Sequence, residues 1–254
     1  MKLATWNVNS LVARMPQVLE LLERHQPDVL FMQETKTEPG AFPMLELEAA
    51  GYQAVHHSAG RWAGVALLAR GEVGGVRAGL AGEPSRHEAR WLEADVDGLR
   101  VVSVYVPNGR APDSPFYEEK LRFLDAMAGR VTELATRPLV VAGDFNVCPT
   151  DLDVYDPSAF VGATHVTSPE RERFQALLDA GTVDAFRQLH PEEPGFTWWD
   201  YRQGHFHRKM GLRIDAFLLS HPLAVDLIEC GIDRSFRKGP RPSDHAPLLC
   251  TLAR

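Results

Sequence analysis

In the stretch LVVAGDFN, residues 139–146, an apolar run is followed at once by an acidic and an amide side chain. Its apolar first half, with two β-branched residues, predicts a strand that is buried on both faces. Asp144 and Asn146 follow with one residue between them, so an extended backbone would point both side chains to the same side. A buried strand that brings an acid and an amide to a sheet edge favours a catalytic site. A turn is the alternative, because Gly, Asp and Asn are common turn formers.

Three other predicted strands, at residues 2–8, 28–32 and 100–106, also end in polar side chains. Turn propensity alone does not explain why strand after strand should end in this way. We therefore expect these ends to meet at one edge of the fold. The polar residues at these ends are Asn7, Asn9, Glu34, Tyr105 and Asn108.

Composition places this chain of 254 residues among globular proteins, since 44% of its residues are hydrophobic and 24% are charged. The net charge of −7 does not favour a nucleic-acid partner. It does not exclude one, because a bound cation and the uneven distribution of charge change the local field. The three cysteines show no metal-binding spacing, and the chain begins without an apolar leader. We expect a cytoplasmic protein with no membrane partner.

Helices are predicted at residues 10–25, 42–50, 114–136 and 168–181, the last with Ser168 as its capping residue. Residues 71–83 are interpreted as a glycine-rich connection. Further strands are predicted at residues 52–57, 64–69, 91–96, 182–186, 196–199, 213–219, 228–234 and 246–252. Strands and helices do not alternate strictly, which predicts two packed sheets with outer helices. Because neither a linker nor a fixed repeat interrupts the pattern, we expect residues 1–254 to form a single domain.

Convergence of the strand ends would bring four carboxylates together, those of Glu34, Asp144, Asp215 and Asp244. Like charges at such close range cannot all stay ionised without protons or a cation. Oxygen ligands without cysteine favour a hard cation, Mg²⁺ or Mn²⁺. Together with His245 and the amides, such a cation suits the attack of water on a phosphorus centre.

Seven motifs in one order carry a resemblance to a known family. They are WNVNS (6–10), QETK (33–36), YVPN (105–108), GDFN (143–146), FTWWDYR (196–202), RID (213–215) and SDHAP (243–247). Together they resemble exonuclease III and the apurinic/apyrimidinic endonucleases of the endonuclease/exonuclease/phosphatase superfamily. The resemblance runs from the first strand to the last. It implies a four-layered α/β sandwich like that of DNase I, with two mainly antiparallel or mixed sheets flanked by helices.

The resemblance also implies roles for single residues. Glu34 would be the principal metal ligand, and the full set of candidate ligands is Asn7, Glu34, Asp144, Asn146, Asp244 and His245. Asp144 would activate the water or serve the leaving group, and Asn146 would hold the phosphate. Tyr105 and Asn108 would lie against the scissile phosphate. His245, oriented by Asp215, would hydrogen-bond the phosphate or act as a base.

In the family, the region of Trp198 and Trp199 lines a pocket that accepts an extruded baseless sugar. The alternative is that these two residues are core aromatics. Extruding a nucleotide costs least where the base is already absent, so an apolar pocket would select damaged sites. Many relatives carry Trp where this chain has Leu212, which leaves the wall apolar without a stacking plane. Candidates for contacts with the DNA backbone are Arg110, Arg202, Arg208, Lys209 and Arg213, whose alternative role is solvated surface charge.

These residues predict a Mg²⁺-dependent DNA-repair phosphodiesterase, for which Mn²⁺ could substitute. It would trim 3′ ends of duplex DNA in the 3′–5′ direction, cleave 5′ to abasic sites and clean blocked 3′ ends. Its partner would be duplex DNA with abasic sites or 3′ ends, and a monomer is expected. One alternative is a phosphatase of the superfamily that acts on phosphoinositides or another small phosphoester. Another is a DNA-damage binding protein without activity, which the complete set of acidic residues and His245 disfavours.

Overall fold

The computed structural model describes residues 1–84 and 88–254 and contains two six-stranded sheets. The strands are β1 (Lys2–Asn7), β2 (Val29–Gln33), β3 (Gln53–His57), β4 (Val65–Ala69), β5 (Val73–Ala78), β6 (Trp91–Val96), β7 (Leu99–Tyr105), β8 (Leu139–Asp144), β9 (Thr182–Asp184), β10 (Asp215–Ser220), β11 (Leu227–Ile232) and β12 (Leu248–Leu252). The helices are α1 (Leu11–His25), α2 (Met44–Ala49), α3 (Pro115–Leu134), α4 (Ser168–Asp179), α5 (Ala185–Leu189) and α6 (His221–Ala224).

The first sheet has the strand order β11-β12-β1-β2-β4-β3, and the second has β5-β6-β7-β8-β10-β9. Two central pairs are parallel, β1 with β2 and β7 with β8, while the other pairs are antiparallel. Both sheets are therefore mixed. The predicted four-layered sandwich is confirmed.

Three apolar clusters join the four layers. One lies between the sheets and contains, for example, Phe31 of β2 and Phe217 of β10. A second packs the outer face of the β7-β8-β10 region against α3 and α4. A third packs the outer face of β1, β2 and β4 against α1 and α2. Because the central strands are covered on both faces, they consist of almost continuous apolar residues, as the stretch at 139–142 does.

Side-chain caps fix where the main helices begin. Ser10 accepts a hydrogen bond from the backbone N–H of Ala13 at the start of α1, and Ser114 accepts one from Tyr117 at the start of α3. Helix α4 begins with a capping box between Thr167 and Glu170. The capping residue of α4 is therefore Thr167, one position before the predicted Ser168.

Three predictions of local structure are wrong. Residues 71–83 contain an edge strand, β5, whose register shifts between Gly74 and Arg77. Residues 182–186 divide into β9 and the start of α5, which Asp184 caps. Residues 196–199 form only isolated bridges. The Thr197 Oγ1 accepts hydrogen bonds from the backbone N–H groups of Ile214 and Asp215, in place of the backbone hydrogen bonds that a paired strand would make.

Within the ranges 1–84 and 88–254, none of the helices is long and apolar enough to cross a bilayer.

Candidate active site

The polar ends of β1, β2, β8 and β10 meet the loop before β12 at one rim of the sandwich. One ligand atom each from Glu34, Asp144 and His245 lies within 4.8 Å of the other two. These residues come from positions separated by more than one hundred residues along the chain. The predicted convergence is therefore present, and its centre contains two carboxylates and one imidazole.

Asn7 connects the two carboxylates at the end of β1. Its Nδ2 donates to the Glu34 Oε1 at 2.8 Å and to the Asp144 Oδ2 at 3.0 Å, and the side chain is fully buried. Its Oδ1 accepts from the backbone N–H of Asn9 at 3.0 Å. Asn7 thus fixes the separation and orientation of the two acids.

Lys36 provides a positive charge beside Glu34. Its Nζ lies 2.8 Å from the Glu34 Oε2 and 2.6 Å from the Asn9 Oδ1. Both Glu34 and Lys36 have left-handed backbones, with φ of 51° and 52°. Lys36 belongs to the QETK motif, but no role was predicted for it.

His245 is held between two acids. Its Nδ1 lies 2.8 Å from the Asp215 Oδ2, and its Nε2 lies 3.7 Å from the Asp144 Oδ2. Burial opposes a charge on this imidazole, but Asp215, Asp144 and Asp244 outweigh the burial and raise the pKa of His245 to about 10. Asp215 therefore orients the ring, as predicted, and leaves Nε2 directed toward the centre.

Asp144 is almost completely buried at the end of β8. Burial raises the pKa of Asp144 to about 7, and the charges of Asp215 and Glu34 act in the same direction, whereas His245 and the hydrogen bond from Asn7 oppose them. Such an accumulation of acids around a buried carboxylate is typical of a functional site.

The backbone at Asn146 differs from the extended conformation expected from the sequence. The strand ends at Asp144, and Asn146 has a left-handed backbone with φ of 52°. The Asp144 Oδ1 accepts from the backbone N–H of Asn146, so the two side chains are connected through a turn and do not alternate along a strand. The Asn146 Nδ2 donates to the Val106 carbonyl, and its Oδ1 accepts from Asn108 at 3.2 Å. The turn alternative was therefore correct for the backbone.

Asp244 lies beside the central group. Its Oδ1 accepts from the Asn9 Nδ2 and its Oδ2 from the Trp198 Nε1, both at 3.0 Å. The loop that carries it is attached to β1, because the Ser243 hydroxyl donates to the Asn7 carbonyl. Both carboxylate oxygens of Asp244 are thus engaged with neighbouring side chains.

Tyr105 closes one side of the site at the end of β7. It is 9% exposed, and the Arg90 guanidinium lies 4.6 Å from the centre of its ring. Burial, followed by the charges of Glu34 and Asp144, raises the pKa of Tyr105 well above its ordinary value. Tyr105 therefore keeps its proton at neutral pH. Arg90 was not among the predicted site residues.

Two of the three residues that were predicted to line the pocket are buried, which contradicts that prediction. Trp199 is 0% exposed and Leu212 is 1% exposed, since both pack into the interior beneath the rim. Trp198 is only partly buried and is the one residue of the three with surface at the site. The pattern of aromatics could not distinguish the wall of a pocket from the packing behind it.

The prediction that Arg213 contacts DNA is wrong. Its side chain is 1% exposed and donates to Asp153 at 2.6 Å and to Asp184 at 2.8 Å. It therefore joins the loop after β8 to β9 and β10. The other basic candidates, Arg110, Arg202, Arg208 and Lys209, are exposed. Arg110 stacks on Phe116, with 3.5 Å from its guanidinium to the ring centre.

Residues 4–245 match the family described as endonuclease/exonuclease/phosphatase. This chain belongs to that family. Exodeoxyribonuclease III of Haemophilus influenzae is 34% identical over 262 residues, which covers 98% of either protein. The predicted resemblance to exonuclease III and the AP endonucleases, and the prediction of an enzyme, are confirmed.

Solved structures of family members have the same fold. NExo of Neisseria meningitidis, described as a 3′–5′ exonuclease, is 42% identical with a TM-score of 0.97 over 100% of both chains. NExo from Neisseria is also described as a 3′ phosphatase, in a structure bound to a product DNA hairpin that has the same identity and TM-score over 99% of both chains. An AP endonuclease from Archaeoglobus fulgidus is 35% identical with a TM-score of 0.97 over 100% of both chains.

The central donors of this chain fit a hard divalent cation. The carboxylates of Glu34 and Asp144 share one small volume beside the His245 ring, and oxygen donors are those that such cations prefer. The Asp215 Oδ1 is also buried and has no hydrogen-bond partner among the described residues. A cation at the centre would compensate the negative charge that these acids accumulate.

Proposed function

We propose that this chain is a Mg²⁺-dependent phosphodiesterase of DNA repair. It removes nucleotides and blocking groups from the 3′ ends of duplex DNA and cleaves the backbone 5′ to abasic sites. The observation that carries this proposal is the meeting of Glu34, Asp144 and His245 within 4.8 Å at a single rim. The family to which the chain belongs supports the reaction class.

Glu34 and Asp144, with His245 beside them, would hold Mg²⁺, which when bound polarises a phosphoryl oxygen and neutralises developing charge. Mn²⁺ has similar ligand preferences, and we expect it to substitute. Asn7, Asn146 and Asp244 already use their side-chain oxygens in hydrogen bonds. We therefore assign these three to orienting the acids and the phosphate.

The remaining chemistry belongs to side chains of this chain. Asp144 accepts the proton of the attacking water, for which its carboxylate is placed at the centre of the site, beside Glu34 and His245. His245 donates from Nε2 to a phosphate oxygen while Asp215 holds its Nδ1. The second N–H of the Asn146 amide and the hydroxyl of Tyr105 donate to the same phosphate.

Two observations favour action at 3′ ends as the main activity. The NExo structures, which are more similar to this chain than the reported AP endonuclease, are described by 3′-end activities. Two of the three residues expected to line a pocket for a baseless sugar, Trp199 and Leu212, are buried. Cleavage at abasic sites is therefore proposed as the second activity. A monomeric state, a cytoplasmic location and a single domain stay predictions.

The proposal is tested with purified protein and four substrates. These are a duplex with a recessed 3′ hydroxyl, the same duplex with a 3′ phosphate, a duplex with an abasic analogue, and an inositol polyphosphate. Each is incubated with Mg²⁺ or with EDTA. We expect Mg²⁺-dependent shortening or dephosphorylation of the first two and slower incision of the third. Release of phosphate from the inositol polyphosphate without any DNA product would contradict the proposal.

A further inference from the structure

A buried ion pair lies directly beneath two of the loops that carry the site. Lys120 of α3 and Glu170 of α4 both have side chains with 0% exposure, and their charged groups are in contact. Neither residue belongs to the seven motifs, and neither points into the site. The loops above them carry Asn108, after β7, and Asn146, after β8.

The ammonium group of Lys120 is bound to both loops through their backbones. Its Nζ donates to the carbonyl of Asn146 at 2.6 Å and lies 3.3 Å from the carbonyl of Asn108. The hydroxyl oxygen of Thr164 lies 3.2 Å from the same Nζ and 3.2 Å from the Asn108 carbonyl oxygen. One positive charge thus holds together two segments that are separated by 38 residues.

Glu170 holds the lysine in place from below. Its Oε1 accepts from Lys120, from the Thr164 hydroxyl at 2.7 Å and from the backbone N–H of His165 at 2.9 Å. Its Oε2 accepts from the N–H and the hydroxyl of Thr167, which complete the capping box of α4. The carboxylate is therefore satisfied on both oxygens and is fixed relative to the helix.

The carbonyl of Asn146 needs such a partner because the residue is buried. Asn146 has a left-handed φ of 52°, and its carbonyl accepts from the Lys120 Nζ and from the His165 Nδ1, each at 2.6 Å. Charge-assisted hydrogen bonds are stronger than neutral ones. A shift of this carbonyl would also move the side chain of Asn146 and its contact with Asn108.

A buried ion pair is a poor source of stability, because the cost of desolvation offsets most of the attraction between the charges. The ion pair instead fixes the positions of two amide side chains, those of Asn108 and Asn146. We propose that Lys120 and Glu170 are positioning residues that hold Asn108 and Asn146 against the scissile phosphate. The inference rests on the proposed function, in which those amides contact the substrate.

The test compares Lys120→Met with a matched variant at another buried ion pair. Arg100, which is 5% exposed, pairs with the buried Glu93 near the opposite end of β7, so Arg100→Met is the control for lost stability. The kcat and KM on the recessed duplex are measured at a temperature where circular dichroism shows each variant folded. We expect Lys120→Met to lower kcat by at least about 10-fold with little change in KM, since small misplacements of catalytic groups have effects of this size. Arg100→Met should keep its kcat.

A double variant separates positioning from folding. Lys120→Met with Glu170→Gln removes both charges, so it should melt at a higher temperature than Lys120→Met alone. Its kcat should stay low, because the two carbonyls still lack the ammonium group that joins them. Wild-type kcat in a folded Lys120→Met protein or in the double variant would overturn the proposal. So would an equal loss of kcat in Arg100→Met.

A measurement without substrate distinguishes this inference from the proposed function. The side-chain amide signals of Asn108 and Asn146 are assigned in ¹⁵N-labelled protein from Asn108→Asp and Asn146→Asp spectra. We expect both signals to shift or broaden in Lys120→Met and to stay in place in Arg100→Met. Unchanged signals in Lys120→Met would overturn the positioning role. Inactivity of the wild type on every DNA substrate would instead refute the proposed function and leave this result standing.

Discussion

Asp144 is a buried carboxylate at the rim, and both of its oxygens have partners. It accepts from Asn7 and from the backbone of Asn146, and it lies 3.7 Å from the Nε2 of His245. Removing a carboxylate from water makes its charge costly unless partners compensate it. Two of these partners, His245 and Asn146, are also proposed to contact the phosphate. The side chain is therefore suited to exchange a proton or to share a cation.

Asp144→Asn keeps the shape of the side chain and removes its charge. We expect DNA cleavage to fall by at least about 10²-fold, the low end for the loss of a general acid or base. Initial rates on the recessed duplex measure the effect. Asp113→Asn, at an exposed position, is the matched control and should keep its activity. Unchanged rates in Asp144→Asn would refute the role of this residue.

The sequence predicted the reactive groups of the site better than their surroundings. Glu34, Asp144 and His245 stand in motifs whose chemistry is visible without a structure. The buried position of Arg213 could not be predicted, because its partners Asp153 and Asp184 lie far from it in the sequence. Lys120 was missed for the same reason, since an interior lysine on an amphipathic helix has no signal of its own.

The backbone of β8 leaves no room for a side chain at Gly143, next to β7 and just before the site. A Cβ on Gly143 would lie 2.0 Å from the carbonyl oxygen of Val104, and the φ of Gly143 is +153°. A glycine in a strand interior often marks such a close approach of two backbones. The next residue along the chain is Asp144, so the spacing of these strands also places the acid.

Gly143→Ala should force the two strands apart and destabilise the protein by about 1–3 kcal/mol, as overpacking does. Denaturation by urea measures this change, and DNA cleavage should fall with it because Asp144 moves. Gly129→Ala is the control, since a Cβ at Gly129 of α3 meets nothing within 4 Å. That variant should be more stable than the wild type by about 0.5–1 kcal/mol. Wild-type stability in Gly143→Ala would contradict the close approach.

Glu93 joins β6, β7 and α3 on the second sheet. Arg100 and Arg130 both donate to it, and the indole of Trp91 donates to it at 2.9 Å. Burial opposes the charge on Glu93, but these hydrogen bonds outweigh the burial and lower its pKa to about 2 from an ordinary 4.5. Its carboxylate is therefore more acidic in the folded protein than in the unfolded chain.

The stabilisation from Glu93 is complete above the unfolded pKa and is lost as the pH falls from about 4.5 to about 2. The pH-dependent part of the free energy of unfolding that comes from Glu93 is about 3 kcal/mol, from the shift in pKa. Glu93→Gln should lower the free energy of unfolding at pH 7 and should flatten its dependence on pH within that window. Urea titrations at several pH values measure both effects, with Glu72→Gln at an exposed position as control. An equal acid dependence in wild type and Glu93→Gln would contradict this assignment.

Elements with a strong hydrophobic periodicity were predicted closely. Elements whose composition and hydrogen bonding favour different structures were not. Helix α1 begins after Ser10, as predicted, because its cap and its apolar stripe agree. Strand β5 was missed because Gly74 and Gly75 weaken the strand pattern and its side chains are largely exposed. Residues 196–199 have strand composition, but the side chain of Thr197 takes the hydrogen bonds that a neighbouring strand would have received.

At the scale of the whole molecule, the two sheets share a single apolar interior. Phe31 of the first sheet and Phe217 of the second meet edge to face, with ring centres 5.8 Å apart. The site lies at the rim of this interface and takes residues from both sheets. Its geometry therefore depends on the sheets staying together.

Phe217→Ala tests whether the two sheets unfold as one unit. We expect a loss of about 3–5 kcal/mol, as for other buried aromatics. Circular dichroism and tryptophan fluorescence should report the same single transition in the wild type and in the variant, because Trp6 and Trp91 lie in different sheets. Separate transitions for the two probes would contradict a single domain.

The proposed function depends on Glu34 and Asp144, with His245 beside them, holding one divalent cation at the rim. Diffraction from a crystal grown with Mn²⁺, measured at the manganese absorption edge, locates such a cation. We expect an anomalous peak within coordination distance of the Glu34 carboxylate and adjacent to Asp144. A peak elsewhere, or none at the rim in protein that cleaves DNA in the same Mn²⁺ buffer, would contradict it.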